Sequence, residues 1–227
     1  MGNWMTMYHS DLNMGKLTKK IEKYFDSIED DARDYIGASS IGSDCYRQIW
    51  YQFKGVKAEK VPGRFRRIWD TGHKLESLVI EWLIKSDVRV SVTDETYHAI
   101  NMPYFQGHVD GFIKFGKKVS ILEIKTAKHA SFTIFKSKGL KVWNPQYYAQ
   151  VQAYMGMSGV NSAYILVLNK DNSEISDEFV AFDSDFYEEL CLKAEMIYRS
   201  TIEPPRINGS ALFYKCKCCK YNKVCHK

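Results

Sequence analysis

The chain lacks any apolar run longer than six residues, found at 163–168, far short of the ~20 that a membrane-spanning helix requires. It also lacks the apolar h-region of a secretory signal, which argues against an oxidising destination and its disulfides. Proline is scarce, five in 227 residues, and no internal repeat or low-complexity linker divides the sequence. What is present is the balance of a globular chain: 45% apolar, 26% charged and 14% aromatic. A chain of this size buries roughly 70% of its unfolded surface without a covalent staple. A soluble, intracellular, cytoplasmic protein is expected. Residues 1–6 fit an N-myristoylation pattern, but no polybasic second signal follows, and one acyl chain anchors only marginally.

Acids are missing from two stretches. Residues 114–141 carry eight lysines and one acid, Glu123, and residues 206–227 carry six basic residues and none. Residues 171–189 reverse the pattern, with eight acids and no base. The two basic blocks suggest an anionic partner such as nucleic acid, or else loops that keep the protein soluble. The acidic stretch reads as a solvated outer face.

Cysteine is equally uneven. Cys45 and Cys191 stand alone, whereas Cys216, Cys218, Cys219 and Cys225 crowd the last twelve residues. In an intracellular chain such clustering points to metal or cluster ligands rather than disulfides.

Periodicity orders the elements. Ser39 or Ser40 caps an expected helix through Cys45, Ile49 and Phe53, and Ile68, Leu75, Leu78, Val79, Trp82 and Leu83 define a second over 64–85. The period then falls to two. Val88, Val90 and Val92 alternate with polar residues, as do Val109, Gly111, Ile113 and Phe115, and a further strand covers 119–125 after a Gly116-Lys117 turn. Asn144-Pro145 opens a helix to about Met157. Strands at 163–168 and 175–182 and a helix at 183–200 complete an α/β domain with a central mixed sheet flanked by helices.

With Gly116-Lys117 as the turn, Phe115 faces Lys118 and Asp110 falls opposite Glu123. Two like charges opposite each other destabilise a sheet unless a cation lies between them. Lys125, two residues on, points to the same face. Hard oxygen ligands of this kind suit Mg²⁺ or Mn²⁺ and phosphodiester hydrolysis. The bland alternative is an exposed, solvated strand face.

The ordered set Gly107-His108-Val109-Asp110-Gly111, Ile121-Leu122-Glu123-Ile124-Lys125-Thr126, and Gln150 with Tyr154 resembles the PD-(D/E)XK nucleases, in particular their RecB-like branch. That resemblance implies that Asp110 and Glu123 bind metal with the Ile124 carbonyl, that Lys125 assists the attacking water, and that Gln150 and Tyr154 line a DNA channel. Gly72-His73-Lys74-Leu75-Glu76 looks like the family's first motif, with Glu76 completing the metal shell and His73 a DNA-facing or structural residue. The parts are then a helical segment over 1–62, a nuclease core over 63–205 and a cysteine segment over 206–227, in one domain.

Cys45 with Cys216, Cys219 and Cys225 is similar to the four-cysteine iron-sulfur motif of RecB-like enzymes such as AddB and the CRISPR-adaptation nucleases. The resemblance implies a [4Fe-4S] cluster, with Cys218 outside the usual spacing. A structural Zn²⁺ site on Cys216, Cys219, Cys225 and either His226 or Cys45 is the alternative. Cys191 reads as a small buried apolar residue.

Arg64, Arg66 and Arg67 interleave with Phe65 and Trp69, a composition suited to phosphate contact and base stacking, or to an amphipathic helix with its arginines outward. Lys136, Lys138 and Lys141 are expected in a flexible basic loop tracking the DNA backbone. The expectation is therefore a metal-dependent DNA exonuclease of recombination, repair or replication, acting on DNA ends or single strands, with recombination or replication proteins as partners, in a prokaryotic or phage-infected cell. A non-catalytic nucleic-acid-binding protein with a zinc site and a restriction-type endonuclease are the alternatives.

Overall fold

The apolar pattern of the middle of the chain places one strand between two cores, and the rest of the fold is arranged about it. The computed structural model describes residues 15–29 and 33–227. The acylation pattern at residues 1–6 lies outside the described residues. The chain runs α1 (Lys16–Ser27), β1 (Ile36–Gly37), α2 (Ala38–Ile41), α3 (Tyr46–Phe53) and α4 (Gly63–Lys85). Then follow β2 (Arg89–Ser91), β3 (Thr96–Ala99), β4 (Met102–His108), β5 (Gly111–Phe115) and β6 (Lys118–Ala127). The remainder is α5 (His129–Trp143), α6 (Pro145–Ser158), β7 (Ser162–Asn169), β8 (Ile175–Ala181), α7 (Ser184–Arg199), α8 (Tyr214–Lys217) and α9 (Asn222–Cys225).

Five strands form the main sheet in the order β2-β5-β6-β7-β8, with β6 and β7 parallel and the other pairs antiparallel. The mixed sheet flanked by helices is the expected architecture. Gly116 takes φ +60° at the hairpin, and Phe115 pairs with Lys118 and Gly111 with Leu122, so the register is the one read from the two-residue turn. A second sheet, β1-β4-β3, was not foreseen. Its strands are short or interrupted by a register shift at His98/Ala99, and they carry little clean alternation.

Both faces of β6 are covered. Ile121 joins Ile165, Val167, Phe132, Val151 and Met155 in the larger core, which also takes in residues of α5, α6 and α7. Leu122 and Ile124 join Ile113, Leu166, Leu168 and Val79 in a second core beneath α4. Strands buried on both faces are expected to be apolar throughout, which makes the Glu123 between Leu122 and Ile124 conspicuous.

Two expectations are corrected. The helix from Ser39 or Ser40 to Phe53 is two helices, α2 and α3, parted at residues 42–45. α6 crosses so close to Gly42 that a Cβ there would lie 2.7 Å from the Gln146 Cα. Neither serine caps α2, and Ser40 Oγ instead donates to the Gly37 carbonyl at 2.9 Å. Lys136, Lys138 and Lys141 lie not in a flexible loop but in α5, which buries Phe132, Phe135 and Leu140. Two acids hold that helix: Asp171 accepts from the His129 N–H at 2.8 Å, and Glu178 from the Leu140 N–H at 2.6 Å beside the break at Gly139.

α6 begins as expected. The Asn144 side chain accepts from the Gln146 and Tyr147 N–H groups at 3.1 and 3.2 Å, a cap that contributes about 1 kcal/mol. Its Tyr154 ring lies against β4 at Gly107, where a Cβ would come within 2.6 Å of the ring and 2.8 Å of the Ala38 Cβ. Gly107→Ala should therefore destabilise the protein by about 1–3 kcal/mol through overpacking. Urea unfolding checks this, and an unchanged midpoint would remove the packing constraint placed on Tyr154.

Candidate active site and cysteine cavity

β5 stops pairing with β6 at Gly111↔Leu122, one residue short of Asp110, so the next inward N–H of β6 needs another acceptor. Asp110 supplies it, its Oδ2 accepting from the Ile124 N–H at 3.0 Å. The aspartate thus sits just past the end of the ladder with its carboxylate turned back onto β6. Glu123 is 1% exposed, which excludes a solvated strand face. Its Oε1 accepts from the Lys125 ammonium, and its Oε2 is buried with no hydrogen-bond partner among the described residues.

Burial is the largest influence on the Glu123 carboxyl. Lys125 opposes it, Asp110 and Glu76 reinforce it, and the pKa is pushed up to about 8. Burial also works against the Lys125 ammonium, but the Glu123 and Asp110 carboxylates outweigh it and raise its pKa. The ammonium lies 4.9 Å from the Tyr147 ring centroid, a cation–π contact that further fixes it. Gln150 Nε2 donates to the Tyr154 hydroxyl at 2.7 Å, both residues buried. Burial raises the Tyr154 pKa, as does the nearby Glu123.

Glu76 comes from α4 on the other side of the sheet. Its Oε2 meets the exposed His73 Nδ1 at 3.1 Å, and its charge reaches Glu123. Arg64 is exposed, Arg67 half-buried with its guanidinium 5.7 Å from the Phe25 ring centroid, and Arg66 buried. Ile124 is fully buried, its side chain in the core beneath α4.

Among the described residues, no group of three or more His, Cys, Asp or Glu side chains stands ready as a metal shell. The donor chemistry nonetheless fits a hard divalent ion. A buried carboxylate oxygen without a partner is costly unless a cation compensates it, and Asp110 and Glu76 are near enough to perturb its titration.

The second candidate site joins the two ends of the sequence. Cys45, Cys216, Cys219 and Cys225 all line one cavity of about 360 Å³, together with Arg47, Tyr51, Asn144 and His226. Cys218 is exposed and absent from the lining, and Cys191 packs against the larger core instead. Burial raises the Cys216 and Cys219 pKa values, and each is raised further by Cys45 and Cys225. N–H groups aim at two of the sulfurs: Arg47 Nη1 at Cys225 Sγ, 3.9 Å, and the Tyr221 N–H at Cys219 Sγ, 3.4 Å. Arg47 was missed by the sequence reading, which had no way to see that Glu203 (3.1 Å) and the Pro204 carbonyl (2.5 Å) would hold its guanidinium there. His226 Nε2 is buried without a hydrogen-bond partner among the described residues, so a Cys₃His set stays chemically open beside Cys₄.

The model of the YqaJ-like viral recombinase domain matches residues 31–161, more than half of the chain. The chain belongs to that family. The matched span runs from β1 through α6 and so includes Glu76, Asp110, Glu123, Lys125, Gln150 and Tyr154. The fold is similar to the alkaline exonuclease LHK-Exo from Laribacter hongkongensis, with a TM-score of 0.56 at 13% identity over 79% of this chain and 90% of that one. The same enzyme in complex with dAMP gives 0.57 at 14% over 74% and 87%. A phage-related exonuclease from Haemophilus somnus 129PT gives 0.55 at 13% over 72% and 91%. No curated protein matches the chain.

The buried carboxyl has a signed consequence. The folded protein keeps a proton on Glu123 that the unfolded chain releases near pH 4.5, so stability falls as pH rises from there to about 8 and then levels. The loss is at most about 1.4 kcal/mol per pH unit. In EDTA, the urea midpoints of wild type and Glu123→Gln should separate over that window, wild type declining. Parallel profiles would mean that Glu123 ionises freely.

Proposed function

We propose that the chain is a metal-dependent DNA exonuclease that hydrolyses phosphodiester bonds during recombination. The observation that carries this reading is the buried Glu123–Lys125 pair, with one carboxylate oxygen unsatisfied and Asp110 folded back beside it, in a YqaJ-like recombinase domain. The names of the similar structures, two alkaline exonuclease forms and a phage-related exonuclease, support the same direction.

Glu123 Oε2, Asp110, Glu76 and the Ile124 carbonyl would hold Mg²⁺ or Mn²⁺. When bound, the ion polarises the phosphate and lowers the pKa of water beside it. Lys125, held cationic by Glu123 and Asp110, orients the nucleophile and offsets the negative charge that develops on the phosphate. Asp110 is pinned by the Ile124 N–H, which leaves its second oxygen for the ion and keeps the carboxylate from rotating into solvent. Gln150 and Tyr154 form the floor behind Glu123 and keep water from solvating it, which strengthens every charge interaction in the site. The exposed cations of α4 and α5 supply sequence-tolerant contact with the phosphate backbone.

In this reading the cysteine cavity holds a [4Fe-4S] cluster on Cys45, Cys216, Cys219 and Cys225, with Zn²⁺ as the competing occupant. The N–H···S contacts from Arg47 and Tyr221 suit either, since both stabilise thiolates. Four cysteine thiolates are what a [4Fe-4S] cube requires, one for each iron corner, and this all-cysteine demand is what favours the cluster.

Digestion assays separate the alternatives. With Mg²⁺ or Mn²⁺ the wild type should degrade linear DNA and spare covalently closed circles, and Lys125→Ala should lower the rate about 10³-fold. Cutting of closed circles would indicate an endonuclease, and no digestion of either substrate a binding protein. Anaerobically purified protein should be brown, with the colour lost in Cys216→Ser and kept in Cys218→Ser. A colourless protein carrying zinc would reassign the cavity.

A further inference from the structure

Five donor side chains line the cysteine cavity: the thiols of Cys45, Cys216, Cys219 and Cys225 and the imidazole of His226. A tetrahedral ion and a cubane each take four. Cys225 and His226 are neighbours in sequence, so the structure must decide which of them joins the other three.

The other three are fixed by the fold. The loop before Cys45 is held by Lys193 of α7, which donates to the Ser43 carbonyl at 2.7 Å, and by the Asp44–Lys215 ion pair. The Asn222 amide donates to the Cys216 carbonyl at 2.8 Å, the Cys219 N–H donates to the same carbonyl at 3.0 Å, and the Tyr221 N–H meets Cys219 Sγ at 3.4 Å. Cys225 and His226 are held by the backbone of their own turn, their N–H groups donating to the Tyr221 and Asn222 carbonyls at 2.9 and 3.0 Å. Among the described residues, the one side chain that hydrogen-bonds to either of them is Arg47, with Nη1 3.9 Å from Cys225 Sγ.

Arg47 is the second residue of α3, and its side chain is 13% exposed. Its Nε donates to the Pro204 carbonyl at 2.5 Å and its Nη1 meets Glu203 at 3.1 Å, so the guanidinium has a fixed place in the wall. Glu203 is 47% exposed and its charge is screened by solvent, whereas the guanidinium is never deprotonated. A fixed cation here strengthens an anionic thiolate as ligand and offers nothing to a neutral imidazole.

We propose that Arg47 is a positioning residue that makes Cys225, rather than His226, the fourth ligand of the cavity, resting on the reading that the cavity holds a metal group. Its consequence is a choice of occupant. With Cys225 the set is all cysteine, as a cubane requires, and with His226 it becomes Cys₃His, a zinc set.

The test uses the full chain expressed in cobalt-supplemented medium, since sulfur-to-cobalt charge-transfer absorption grows with the number of Co–S bonds whether the natural occupant is iron or zinc. Cys225→Ser should lower that absorption by about a quarter, one thiolate of four, and His226→Ala should leave it unchanged. Arg47→Gln should lower it as Cys225→Ser does while cobalt stays bound, and Arg47→Lys should keep most of it. Adding His226→Ala to Arg47→Gln should weaken retention of Co²⁺ against EDTA at least tenfold, an interdependence that a merely packed side chain would not produce. Four-thiolate absorption in Arg47→Gln would overturn the proposal, as would a loss in His226→Ala without one in Cys225→Ser. ¹¹³Cd NMR of the cadmium-loaded wild type needs no variant: a four-sulfur shift supports the assignment, and a shift for three sulfurs and one nitrogen overturns it. A wild type with no charge-transfer absorption would remove the metal reading and this proposal with it. A wild type that binds cobalt through four thiolates whatever stands at position 47 would remove the proposal alone.

Discussion

Glu123 occupies a position that should be hydrophobic. It sits in a strand flanked on both edges by other strands and covered on both faces, between two leucine and isoleucine neighbours that belong to the opposite core. Burying an ionised carboxylate there costs several kcal/mol even after relaxation, and a single ammonium returns only part of it. The surrounding structure is arranged around that deficit. Asp110 closes the open end of the ladder, Tyr147 covers the lysine, Tyr154 and Gln150 satisfy each other behind it, and α4 brings a third acid from across the sheet. Replacing the pair with apolar residues would make a better core, so its presence argues for chemistry rather than stability.

α6 links this centre to the cysteine cavity. Its first residues, Asn144 and Gln146, form part of the cavity wall, and its middle carries Gln150 and Tyr154. Gln146 also donates to the Ser39 carbonyl at 2.7 Å, and α2 is pressed against the same turn at Gly42. The segments bearing Cys45 and Cys216–Cys225 therefore meet where the helix behind the active site begins. Contacts at long sequence separation, such as Arg47 with Pro204 and Lys193 with the Ser43 carbonyl, hold that junction together.

Much of the site was legible because it is built from local, periodic elements. A two-residue turn fixes the register of a hairpin, so Gly116-Lys117 is enough to place Asp110 beside Glu123. Asn144-Pro145 and the i, i+4 spacing of Gln150 and Tyr154 carried equally far. What failed depended on distant partners. The split of α2 from α3 follows from the approach of α6, and the helicity of α5 depends on Asp171 and Glu178. Those two acids, with the Asp183 cap of α7, show that the acidic stretch does more than face solvent. The depth of Glu123 was likewise invisible, since a Glu-Ile-Lys triplet reads the same on an open edge as in a doubly covered strand.

The central claim is that the unsatisfied Glu123 oxygen is completed by a divalent ion. Anomalous diffraction at the manganese edge, from crystals of the full chain soaked in Mn²⁺, addresses it directly. The account predicts a peak between the Glu123 and Asp110 carboxylates, on the side where Glu76 approaches. No peak at that position, with manganese bound elsewhere or not at all, would contradict it.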